Sequence, residues 1–252
     1  MGRIFIVPTP VGNLEDMSPR AVETLRNVSL VLAEDTRTSG VLMRHFDIRT
    51  PMQAHHKFNE HATVGPILDR VEAGEDVALV SDAGTPGISD PGFMLAREAR
   101  RRGVEVVTLP GPTAFVPALV SSGLPCDRFF FEGFLPPKKG RASRLQELAA
   151  LGVTFVVYES PLRLARTLGE LAGACGGDRQ AAVCREISKL HEETRRGTLE
   201  ELKNHFDANQ ARGEIVIVVG GADTSSRGEK RHRNKYKPEG AEPEADCEET
   251  IN

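Results

Sequence analysis

The chain has 252 residues, 39% of them hydrophobic and 27% charged, and carries a formal net charge of −4. That is enough chain for one large or two modest globular domains, and the acidic balance excludes a surface coated for nucleic acid, so a polyanion would have to be met by local basic patches. No apolar run approaches the roughly 18 residues of a membrane span, and the four scattered cysteines form no CxxC pair, which argues against a disulfide framework or zinc site and predicts a cytoplasmic home.

In chain order, β-like runs are expected at Ile4–Val7, Leu30–Ala33, Val77–Ser81 and Val104–Thr108, then at Phe129–Glu132, Thr154–Tyr158, Ala181–Cys184 and Glu214–Val219. Helix starts fall between them. Ser18-Pro19, Asp90-Pro91 and Ser160-Pro161 each join an N-cap residue to a proline suited to the first helical position, and Thr198 with Glu201 forms a capping box. Strand–helix alternation on this spacing predicts α/β layers with mostly parallel pairing in the first half. A helix ending in Ser121-Ser122-Gly123-Leu124-Pro125 suggests a boundary, giving domains at 1–121 and 122–223. Beyond 224 the aliphatic residues almost vanish: 227–237 carries six Lys or Arg and 239–249 six Asp or Glu, so 224–252 is expected to be a disordered tail.

The loops at the expected strand ends carry the chemistry. They read Pro8-Thr9-Pro10-Val11-Gly12-Asn13-Leu14, Glu34-Asp35-Thr36-Arg37, Ser81-Asp82-Ala83-Gly84-Thr85-Pro86 running on to Gly92, and Pro110-Gly111-Pro112-Thr113-Ala114. In an open parallel sheet ligands bind outside the carboxyl ends of the strands, so these loops form one binding face. GxGxxG, GxxxxGK[ST] and GxSxG are all missing from the sequence, which argues against a dinucleotide fold, a P-loop nucleotidase and an α/β-hydrolase.

Those loops, continued by Glu132-Gly133-Phe134-Leu135-Pro136 and Tyr158-Glu159-Ser160-Pro161, resemble the ribosomal small-subunit methyltransferase I family over about residues 4–220. The resemblance implies an α/β fold of two domains of the tetrapyrrole methylase (class III methyltransferase) type, with S-adenosylmethionine held in the cleft between them. It also implies a homodimer that methylates the ribose 2′-oxygen of a cytidine in the decoding region of 16S rRNA. Carried over by motif, the cofactor contacts are Pro10, Asp82, Ala83, Gly84, Thr85, Pro86, Thr113 and Ala114, with Phe134, Arg185 and Glu186 from the second domain. Asp90, as Asp-Pro before a helix, is read as a cap.

Glu34, Asp35 and Arg37 are the catalytic candidates: one carboxylate to orient or deprotonate the hydroxyl, the guanidinium to grip a phosphate. A second reading stays open, in which Asp35 or Thr36 caps a helix and Arg37 makes a surface ion pair. For RNA, the basic cluster Lys138, Lys139, Arg141 and Arg144 is favoured over the helix carrying Arg97 and Arg100–Arg102, which is read as a solvated face; Arg195 and Arg196 are placed in a late loop. His55, His56 and His61 are read as polar loop histidines, with no metal. A small-molecule methylase of the tetrapyrrole type and a noncatalytic ribosome-associated protein are the alternatives.

Overall fold

The structure is a computed structural model that describes residues 1–222; the expected charged tail lies outside the described residues. The chain opens with strand β1 (Arg3–Ile6), and helix α1 (Pro19–Asn27) starts where its sequence demands, with the Ser18 side chain accepting from the Ala21 N–H at 3.1 Å. Then follow β2 (Leu30–Ala33), α2 (Thr36–His45), β3 (Met52–Ala54), α3 (Glu60–Glu72), β4 (Val77–Val80), α4 (Phe93–Arg101) and β5 (Glu105–Thr108). These five strands form one wholly parallel sheet in the order β3-β2-β4-β1-β5. Its central strands β2 and β4 are buried on both faces, as a parallel sheet with helices on either side requires. Val31, Ala33, Ala78 and Val80 face α1 and α2, whereas Leu30, Leu32, Val77 and Leu79 face α3 and α4.

After β5 come α5 (Phe115–Ser122), β6 (Phe129–Phe134), α6 (Arg141–Ala149), β7 (Thr154–Glu159), α7 (Leu164–Cys175), β8 (Gln180–Arg185), β9 (Glu193–Thr198), α8 (Leu199–Ala208) and β10 (Ile215–Val219). The second sheet is mixed, in the order β6-β7-β10-β8-β9; β6 and β7 run parallel and the rest antiparallel. One face packs against α6, α7 and α8 through Leu145, Leu168, Leu202 and their neighbours. The other is covered by α5, whose Ala118 and Leu119 meet Val156, Cys184, Val216 and Val218. The capping box at Thr198 and Glu201 is formed in full.

Two strands were not foreseen. β3 has only three residues, and β9 reads Glu-Thr-Arg-Arg-Gly-Thr, an edge strand bonded to β8 alone in which no residue is buried. Arg195 and Arg196 therefore stand on a strand and not in a loop. Asp90-Pro91 does not start a helix, since α4 begins at Phe93 behind Gly92. Ser160-Pro161 lies in a turn, and α7 begins only at Leu164. In both cases the pre-proline residue is held extended or in a turn, conformations that Pro imposes as readily as it starts a helix. The helix ending at Ser121-Ser122 is α5, which already packs on the second sheet, so the passage from one sheet to the other falls before it, at Leu109–Ala114.

Candidate active site

The loops leaving β1, β4 and β5 are fastened to each other. Thr9 and Gly84 exchange two backbone hydrogen bonds of 2.9 Å, and the Thr85 hydroxyl donates to the Pro112 carbonyl at 3.1 Å. Gly84 sits at φ +80°, a left-handed conformation that glycine adopts without the penalty a side chain would bring. From the second sheet the bulge at Gly133 of β6, at φ +72°, comes so close to Ser89 that a Cβ there would stand 2.6 Å from the Ser89 hydroxyl oxygen. Between these elements lies a cavity of about 430 Å3, a size that takes a nucleoside-like ligand.

One wall is acidic. Glu34 follows β2, while Asp82 and Asp90 bracket the loop after β4, and all three line the cavity. None forms a salt bridge among the described residues; Asp82 accepts only the Asp35 backbone N–H, at 3.2 Å. Burial raises the Glu34 carboxyl, Asp82 adds to the rise, and His56 opposes it. Burial likewise raises Asp82. The Asp90 carboxyl is pushed up to about 6, by burial first and then by Glu34 and Asp82. Glu34 and Asp82 thus both work against ionisation of Asp90. Asp90 belongs to this wall and not to a helix cap, which corrects the expectation for it.

The opposite wall is apolar and aromatic. Phe134 and Tyr158 pack edge to face with ring centroids 5.6 Å apart, Phe131 backs Tyr158 at 5.2 Å, and Phe115 completes the group. Glu159 ends β7 with its side chain almost wholly buried. Its Oε1 accepts from the Ser160 N–H and the Arg163 guanidinium, both at 2.7 Å, and its Oε2 accepts from the Thr167 hydroxyl at 2.7 Å. Lined by five carboxyl groups and no Lys or Arg, with flat rings facing them, the cavity suits a ligand that joins a planar heterocycle to net positive charge.

Of the sequence-derived cofactor positions, Asp82, Ala83, Gly84, Thr85, Thr113, Ala114 and Phe134 line this cavity together. Pro10 and Pro86 stand just outside it, beside Val11 and within the stitched β4 loop. Arg185 pairs with Glu193 at 2.6 Å, and Glu186 accepts from Lys189 Nζ at 2.9 Å and from the Glu214 N–H at 3.0 Å. Both therefore brace the wall from behind, and it is Ile187, Gly213 and Glu214 that face the cavity. Sequence reasoning gave these last residues no role, their one signal being their place next to strand ends, and Ile88 stood in the loop running on to Gly92 without an assigned role. Tyr158 and Glu159 stood in a quoted motif without an assigned role.

The catalytic candidates separate. Glu34 lines the cavity; Asp35 and Arg37 do not. Asp35 caps α2, accepting from the Arg37 backbone N–H at 2.8 Å, and binds the Arg37 guanidinium at 2.7 Å. That guanidinium holds the Asp35 carboxyl down at about 2. Among the basic cluster, Arg141 is buried, its side chain 8% exposed, with Nε on Glu170 at 2.6 Å and Nη2 on the Thr167 hydroxyl at 2.7 Å. It is an interior strut, which removes it from any RNA surface. Arg144 is half engaged by Glu132 and Glu147, and Lys138 and Lys139 are exposed with no acidic partner among the described residues. His55 is fully buried and not a surface loop residue. Among the described residues no group of three or more His, Cys, Asp or Glu could hold a metal, and no helix is long and apolar enough to cross a membrane.

The two-sheet fold with a cleft between the sheets defines a class. The family model for Tetrapyrrole (Corrin/Porphyrin) Methylases matches residues 3–203. The crystal structure of uroporphyrin-III C-methyltransferase from Thermus thermophilus complexed with S-adenosylhomocysteine superposes with a TM-score of 0.62 at 20% identity, covering 87% of this chain and 97% of that one. Within the class the sequence is closer to proteins named ribosomal RNA small subunit methyltransferase I. The one from Pseudomonas aeruginosa is 51% identical over 87% of this chain and 79% of its own length, and the one from Synechocystis 47% over 90% and 82%. The chain belongs to the ribosomal RNA small subunit methyltransferase I family.

Proposed function

We propose that this chain transfers a methyl group from S-adenosylmethionine to the ribose 2′-oxygen of a cytidine in the decoding region of 16S rRNA, acting as a homodimer in the cytoplasm. The observation that carries the reading is the cavity itself, in which three carboxyl groups without cationic partners face an aromatic wall. S-adenosylmethionine joins a purine to a sulfonium and an ammonium against a single carboxylate, a net positive charge that fits this lining. The names of the relatives point to the rRNA; the fold neighbours support the fold alone.

When bound, the cofactor supplies an electrophilic methyl group for in-line displacement. The chain's own part is alignment and proton removal. Phe134, Tyr158 and the stitched loops after β1, β4 and β5 fix one reactant, and alignment of this kind lowers barriers by about 7–11 kcal/mol in well-oriented systems. Glu34 lines the cavity with a carboxyl raised by burial, which makes it a stronger base than an ordinary carboxylate, and it accepts the hydroxyl proton. Lys138 and Lys139 offer phosphate contacts that give affinity without reading bases.

The test is transfer from labelled S-adenosylmethionine to small ribosomal subunits lacking the modification, followed by nucleoside mass spectrometry. Labelled 2′-O-methylcytidine supports the reading. Cofactor binding without any transfer to the subunit rejects it.

A further inference from the structure

The cavity draws on the loops after β1, β4 and β5, and takes only Glu34 from the β2 side of the sheet. The next strand out is β3, and the loop that leaves it contributes nothing to the cavity. Its position is nonetheless fixed relative to Glu34. Ala33 pairs with Ala54, and the His55 N–H donates to the Ala33 carbonyl at 2.8 Å, prolonging the pairing by one residue. Glu34 and the start of the loop thus leave adjacent strands, whose spacing is about 4.8 Å, and His56 is close enough to act on the Glu34 carboxyl.

This loop is built to hold its shape. Asn59 closes it from both sides: its Oδ1 accepts from the His56 N–H at 2.7 Å and its Nδ2 donates to the Ala54 carbonyl at 3.0 Å. Buried His55 pins it to α3 through the Thr63 hydroxyl, 2.9 Å from Nδ1. At the tip stands Phe58, 90% exposed, with the His56 ring beside it, centroids 6.1 Å apart. A phenyl ring kept in water by a braced loop forgoes the burial that drives apolar side chains inward. Beside it Lys57 is exposed, and segment 55–63 holds one acid, Glu60.

We propose that Phe58 is a stacking platform for an unpaired base of the RNA substrate, next to the nucleotide whose ribose reaches Glu34. Lys57 supplies a phosphate contact beside it. The inference rests on the RNA-methyltransferase reading above and adds to it a residue that seats the substrate. Stacking on an aromatic side chain is tolerant of base identity and is paired with backbone-tracking cations wherever single strands are gripped, and both parts are present on this loop.

The experiment compares Phe58→Ala, Phe58→Leu and Phe58→Trp with the wild type, using unmodified small ribosomal subunits as substrate and calorimetry for S-adenosylmethionine. Ala and Leu should each raise KM for the subunit by roughly 5- to 150-fold, the span of one base stack, with kcat and cofactor affinity unchanged; Trp should restore KM to near wild type. Leu keeps the apolar bulk and removes the π face, so a purely structural role for Phe58 would spare it. A wild-type KM in the Ala or Leu variant, failure of Trp to restore it, or a parallel fall in cofactor affinity overturns the inference. If the wild type itself transfers no methyl to the subunit, the RNA reading falls and takes this inference with it; wild-type transfer with an unaffected Ala variant overturns this inference alone.

Discussion

Glu34 and Asp35 are neighbours in sequence with opposite fates, and the difference is geometric. Asp35 turns back to cap α2 and grip Arg37, whereas Glu34 points into the cavity beside two further carboxyl groups. Glu34→Gln is expected to lower kcat by about 10²–10⁴-fold, a larger effect than the loss of one of three acidic groups has on cofactor affinity in calorimetry. Asp90 makes a prediction about stability. Its folded carboxyl titrates at about 6, above the ordinary aspartate value near 3.9, so the unfolded chain gives up this proton first. The penalty is absent below that ordinary value, grows as pH rises towards 6, and is complete above it. Asp90→Asn should therefore be more stable than wild type at pH 8, on the order of 2 kcal/mol, and equal to it near pH 4, as urea unfolding at the two pH values will show. Equal stability at pH 8 would mean that Asp90 is solvated in the free protein.

At the scale of elements, the basic run after β6 divides into two functions. Lys138 and Lys139 face solvent, but Arg141 opens α6 by turning inward to Glu159, Thr167 and Glu170. Removing one partner from a buried ion pair costs about 3–5 kcal/mol, so Arg141→Ala should lower unfolding stability by that order. The double reversal Lys138→Glu with Lys139→Glu should leave stability alone and flatten the salt dependence of subunit binding. If the two results were exchanged, the division would be wrong. The sequence could not separate these residues, because four Lys and Arg within seven positions look alike until a helix axis decides which one points inward. The same limit hid β3 and β9. Three residues give no periodicity, and an edge strand bonded on one side can carry Arg195 and Arg196 as easily as valine. The capping box at Thr198, by contrast, was legible in full because its partners are three residues apart. So were the doubly buried strands β2 and β4, whose unbroken apolar runs say that both faces are covered.

For the whole molecule, the motif loops revealed which end of the first sheet binds, since parallel strands gather their carboxyl ends on one edge. Of the second wall the motifs gave Phe134 alone, because Tyr158, Glu159 and Gly213–Val216 lie on or beside strands whose arrangement depends on a mixed sheet with no local signature. Nor did the helix pattern show which sheet α5 belongs to, since Ala118 and Leu119 would suit either. The placement of α5 has a consequence for gene recombination. A chimera between two relatives that crosses over at Ser121–Pro125 takes α5 from one parent and the sheet beneath it from the other, so Ala118 and Leu119 meet a surface that did not arise with them. Crossing over at Leu109–Pro112 leaves that contact within one parent. Chimeras of the second kind should be recovered folded in higher yield, and the natural unit of exchange in this chain then begins one helix earlier than its run of small residues suggests.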